Sequence, residues 1–132
     1  MRFSLSVVAA CALCFTTMAS AHHSHGQYEE TFKDISGVVK EVHFVLPHSW
    51  VYIEVKDPKG EPQLWALEAT GRTQLERAGV TKAYIKAGDT IKARCHQLRD
   101  GTNGCLLGFL KAADGTVRNW DNGQLVTDLK DF

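Results

Sequence analysis

Ser49-Trp50-Val51-Tyr52-Ile53-Glu54-Val55-Lys56 alternates without a break: Val51, Ile53 and Val55 fall on one side, and Trp50, Tyr52, Glu54 and Lys56 on the other. A period of two sends successive side chains to opposite faces of a β-strand, so the stretch is predicted as a strand with an aliphatic inner face. The outer face then carries Trp50, Tyr52 and Glu54. Asp57-Pro58-Lys59-Gly60 supplies turn chemistry, and Gln63 to Glu68 returns as the partner of a hairpin. Trp65 fits either face of that partner.

Working outward, Ile35 to Leu46 reads as a preceding strand, with Val38, Val42, Phe44 and Leu46 on one face and Val39, Glu41, His43 and Val45 on the other. Lys40 interrupts the apolar face, and Gly37 permits a bend. Downstream, Thr70 is expected to cap a helix of about eight residues holding Leu75 and Ala78, which Gly79 ends in the left-handed conformation. Thr90 to His96 and Cys105 to Lys111 follow as strands four and five, with Ile91, Ala93 and Cys95 sharing one face and Cys105, Leu107 and Phe109 another. Val117 to Trp120 offers a short sixth strand. Three meandering strands, a helix, then a hairpin is the order of an OB-like five-stranded barrel, so the fold class is all-β, a small barrel of five or six strands with one short helix between strands three and four. An open antiparallel sandwich satisfies the same alternation.

The amino end is read as a leader. Met1-Arg2 is positive, Phe3 to Phe15 is apolar and uncharged, and Ala19-Ser20-Ala21 presents small residues where a signal peptidase cuts. The expected organisation is a signal peptide over 1–21, a His-containing segment over 22–34, a barrel domain over 35–120 and a polar tail over 121–132. Periplasmic or secreted localisation follows, with no stable membrane insertion once the leader is gone. Cys11 and Cys14 leave with it. Of the 4 cysteines, Cys95 and Cys105 remain, flanking a turn rich in Asp-Gly and Asn-Gly, and in an oxidising compartment they are expected to form a cross-strand disulfide. A thiolate metal site shared with His96 is the rival reading.

Composition limits the partners. Fifteen Lys and Arg balance 15 Asp and Glu. Nucleic acid is a poor fit, because phosphate neutralisation needs a clustered basic excess. Enzyme signatures are missing as well: the chain holds no H-E-x-x-H, no G-x-S-x-G, no phosphate-cradling glycine loop and no dinucleotide fingerprint. No catalytic residue is nominated, and a metal-dependent enzyme assembled at His22 stands as a third reading behind the two binding ones.

The chemistry that remains is imidazole. All 6 histidines, His22, His23, His25, His43, His48 and His96, lie beyond the leader. Cleavage after Ala21 would expose the α-amine of His22, which chelates a metal together with the ring of the same residue, and a second histidine would complete the set. Copper(II) heads the divalent affinity order for such donors and zinc also suits them, so His22, His23, His25 and His48 are the candidate metal ligands. Cleavage after Ala19 would instead put His22 third in the chain, the spacing of an amino-terminal copper motif. His48 follows Pro47, whose ring can fix its approach. The competing view leaves these histidines as a solvated start and assigns binding of an organic ligand or a protein partner to the Trp50, Tyr52 and Glu54 face. The expected function is thus an exported metal-binding module for sequestration or delivery, or else a metal-free binding module.

The residues also suggest a family. Ala21-His22-His23-Ser24, Gly37, Pro47-His48-Ser49-Trp50, Trp65 with Glu68, Leu75 with Gly79, Gly88-Asp89 and Asp100-Gly101 occur in an order that resembles a group of small bacterial secreted proteins of unknown function. Those proteins carry Asn-Pro-His before a small residue and Trp, whereas Leu46 stands here in place of the Asn. The resemblance implies export and a small β-fold, and brings no activity. A looser likeness to periplasmic OB-fold stress and haem-delivery proteins rests on the fold reading alone.

Overall fold

The computed structural model describes residues 25–121, 129, 131 and 132. Six strands and one helix follow in order: β1 Lys33–His43, β2 Ser49–Lys56, β3 Pro62–Ala69, α1 Arg72–Arg77, β4 Thr90–Gln97, β5 Gly104–Lys111 and β6 Val117–Asn119. Pairing runs β3-β2-β1-β4-β5-β6, and β3 also meets β5 in parallel, so five strands close into the ring β1-β2-β3-β5-β4-β1. This is the small all-β barrel expected from the alternation. Closure satisfies the edges that an open sheet would leave bare.

The inward faces build one core. Val51, Ile53, Leu67, Ile91, Leu107 and Leu110 are fully or almost fully buried, and Leu75 of α1 and Trp120 after β6 add to them. Each such side chain contributes roughly 1.5 to 3 kcal/mol through removal from water. Trp65 resolves to the inside, with the Lys33 ammonium 5.2 Å from the centre of its ring. Cys95 and Cys105 are bonded to each other, with Cα atoms 5.6 Å apart and both side chains buried.

Two faces differ from simple alternation, and both differences are bulges. In β1 the register steps from Val39 opposite Ile53 to Glu41 opposite Tyr52, so Lys40 is the extra residue. Ile35 and Val39 are therefore buried before the bulge, while Val38, expected inside, is exposed; Val42 and Phe44 face the core after it. In β5 the register steps from Phe109 opposite Arg94 to Leu107 opposite Cys95, which leaves Gly108 over. Leu110 then takes the core position, and Phe109 turns to the outside against Phe32. The helix also begins later than expected. Gly71 occupies the N-cap and has no side chain to cap the helix, while Thr70 before it is tied to the barrel: its N–H donates to Trp120 and its carbonyl accepts from Ser49. Gly79 ends the helix region with φ of 78°, as expected.

Candidate functional site

A polar cluster forms on the barrel wall where β2, β3 and the amino-terminal segment meet. Glu68 lies on the outer side of β3, opposite Trp50 on β2 and Leu106 on β5. One of its carboxylate oxygens is 2.5 Å from Nδ1 of His48, and the other accepts the Tyr28 hydroxyl at 2.5 Å. A single carboxylate thus joins two residues from distant parts of the chain. The His48 and Glu68 side chains are 26% and 17% exposed, which leaves the pair reachable from solvent but partly shielded.

His48 is held by the loop before it. The Ser49 hydroxyl is buried and both accepts from the Val45 N–H and donates to the Val45 carbonyl. The Arg72 N–H donates to that same carbonyl at 3.0 Å. Gly71 lies so close beneath Pro47 that a Cβ there would stand 2.5 Å from the Pro47 oxygen, so the absence of a side chain lets the loop seat. With Nδ1 as the donor to Glu68, the neutral imidazole carries its lone pair on Nε2.

Tyr28 is fixed from its backbone. It bridges Leu98, with Glu29 donating to Gln97 at 2.8 Å and Arg99 donating to Gln27 at 2.9 Å. The Arg99 side chain adds a bond from Nε to the Tyr28 carbonyl at 2.8 Å. Burial, and then the neighbouring Glu68 carboxylate, push the Tyr28 phenol well above its ordinary ionisation range. It stays a hydrogen-bond donor at physiological pH.

The other expected residues are distributed around this cluster. Trp50 and Tyr52 are half-buried on the outer face with ring centres 6.5 Å apart and planes 19° from parallel. Glu54 pairs with Lys40 at 3.2 Å. His43 pairs with Glu41 at 3.0 Å and sets its ring edge on Tyr52. Nδ1 of His96 is buried without a hydrogen-bond partner among the described residues, beside the Phe32 ring at 4.1 Å. His25 opens a short 3-10 turn, His25–Gln27, just ahead of Tyr28, whereas His22 and His23 lie outside the described residues. Among the described residues no group of three or more His, Cys, Asp or Glu side chains is placed to hold a metal ion, and no helix is long and apolar enough to cross a membrane.

Tyr28 and the bridging role of Glu68 were not singled out from sequence. The available signal was the hairpin itself, since a register set by the turn at Asp57 to Gly60 puts Glu68 opposite Trp50, two positions after His48.

The model of a family described as a family of unknown function (DUF6152) matches residues 10–107. No curated protein and no solved structure matches the chain.

Proposed function

This chain belongs to that family of unknown function, and from its own residues we propose that it is an exported module that binds copper(II) for sequestration or delivery. His48 serves as the ligand from the barrel, and His22, His23 and His25 serve from the amino end. The observation that carries the reading is the Glu68 carboxylate, which meets His48 at Nδ1 and Tyr28 through its hydroxyl. A carboxylate on Nδ1 fixes the orientation of the ring, as partners of metal-bound histidines do. The Tyr28 bond also limits where the preceding histidines can go: His22 is six positions before Tyr28, a reach of at most about 20 Å. The buried disulfide is compatible with an oxidising compartment.

Copper titration of protein with its authentic amino terminus tests the reading. Glu68→Gln preserves shape, and should weaken copper binding roughly 10- to 100-fold, the range found for partners of metal-bound histidines. One residue added ahead of His22 should weaken it too, although every imidazole remains. Binding should fade as pH falls through the range in which imidazole gains its proton. Equal affinity in the extended, Glu68→Gln and unaltered proteins would overturn the proposal. A second reading, in which an organic ligand stacks on the outer face, is supported by the near-parallel Trp50 and Tyr52 rings; it predicts tryptophan fluorescence changes with a ligand while copper has no effect.

A further inference from the structure

Away from the His48 cluster, a cleft of about 550 Å³ opens between the end of β1 and the segment that leads into β4. Its size falls within the roughly 300 to 1,000 Å³ range of small-molecule sites. Val42 and Phe44 form one wall, and Ile85 and Ala87 the other. Phe44 and Ile85 line it while remaining largely buried, so its deepest part is aliphatic and aromatic.

The walls are preformed. The Val39 N–H donates to Asp89 and the Gly88 N–H returns to Val39, both at 2.8 Å, which clamps the far segment to β1. The Tyr84 hydroxyl adds bonds to the Leu110 and Thr116 carbonyls at 3.0 and 2.8 Å. A cleft held in this way loses little freedom when a ligand enters.

Its charge is unequal. Three ionisable side chains line it, His43, Lys82 and Lys86. His43 is engaged by Glu41, and the Lys86 ammonium by Asp89 at 3.1 Å. Lys82 makes no ion pair among the described residues. One uncompensated cation at the rim of an apolar cleft calls for a ligand with one negative charge and a hydrocarbon body. Val45, also on the lining, is 46% exposed, and the next residue, Leu46, is 57% exposed, so apolar surface continues along the chain from the cleft.

We propose that this cleft binds a free aliphatic monocarboxylate, with its chain against Val42, Phe44 and Ile85 and its carboxylate at Lys82. The site is separate from the copper reading and stands or falls without it.

The test uses the processed, disulfide-bonded protein in a chelator, with sodium laurate below its micellar concentration as the probe. Calorimetry should show saturable binding of one laurate per chain, and amide shifts should concentrate at residues 42–45 and 82–87. Lys82→Glu should weaken binding about tenfold, since it replaces an attraction with a repulsion, and Ala87→Trp should block it by filling the mouth. Lys59→Glu, at the distant hairpin turn, should leave it unchanged. Circular dichroism confirms that each variant folds. Dodecyltrimethylammonium carries the same chain with the opposite charge and should bind more weakly. No saturation, equal binding of the two surfactants, indifference to Lys82→Glu, or shifts centred on Trp50 and Tyr52 would each overturn the proposal.

Discussion

Glu68 carries one negative charge and serves two donors, so its neighbours reveal its state. Tyr28 is the more informative of them. Its phenol is held in the protonated form by burial and by Glu68, so the folded chain keeps a proton that the unfolded chain releases above about pH 10.0. The stability this adds is complete below that value and is lost as pH rises through and beyond it. Tyr28→Phe should therefore flatten the decline of the melting temperature between neutral and strongly alkaline pH, while the contribution of Tyr84, also raised chiefly by burial, remains. An unchanged alkaline slope in Tyr28→Phe would contradict this assignment. At this scale the sequence was only half legible. Pro47-His48 stands out in the chain, and Glu68 is visible as a carboxylate on a strand, but nothing local to either brings them together. Their meeting depends on a loop seated against Gly71 and on strand register. Tyr28 depends on pairing with Leu98, a contact between segments far apart in sequence.

Strands were the most legible level, because alternation is a property of adjacent residues. Val51 and Ile53 are buried in β2 while Glu54 faces outward, as the period of two required. Ile53→Ala should accordingly cost roughly 2 to 5 kcal/mol in chemical denaturation, whereas Glu54→Ala, which loses a partly exposed ion pair, should cost about 1 kcal/mol or less. Alternation fails where a bulge adds a residue, and the only advance sign in β1 was Lys40 on a face otherwise apolar. In β5 a glycine alone marked the place. The glycines themselves separate two kinds of crowding. A Cβ on Gly37 would stand 2.5 Å from the Glu54 carbonyl oxygen, part of the backbone of β2, whereas one on Gly108 would meet the edge of the Phe32 ring at 2.8 Å and backbone, the Arg94 carbonyl oxygen, only at 3.2 Å. Phe32 is half exposed and can swing away. Gly37→Ala should therefore destabilise the barrel by more than the roughly 1 to 3 kcal/mol typical of overpacking, and Gly108→Ala by less than Gly37→Ala. The reverse ranking in denaturation midpoints would show that β1 can shift and the Phe32 contact cannot.

At the scale of the molecule, the disulfide and the ring closure act on the same place. Cys105 is bonded to Cys95 and also lies opposite Leu67 in the parallel pairing of β3 with β5. Intact mass should show the bonded form as two protons lighter than the reduced chain, and reduction should cost roughly 2 to 3 kcal/mol in the loop-closure account of a link this local. A loss near zero would mean that the hairpin is held equally well without it. The closing pairs join Ala66, Leu67 and Glu68 to Gly104, Cys105 and Leu106, partners with half the barrel between them in sequence. Contacts of such separation bear the largest entropic cost of assembly, in contrast to the β2–β3 and β4–β5 hairpins. The β2–β3 hairpin alone brings Glu68 near His48, but Tyr28 is carried by its bridge to Leu98 on the far side of the β3–β5 seam, so the full His48–Glu68–Tyr28 cluster exists only in the finished ring. Anything whose binding needs that whole cluster selects the closed chain over all open ones, and its occupancy is converted by mass action into resistance to unfolding, about 2.7 kcal/mol at a hundredfold excess over the dissociation constant. Cargo and scaffold would then protect each other, with a loaded molecule slower to be lost to proteolysis than an empty one.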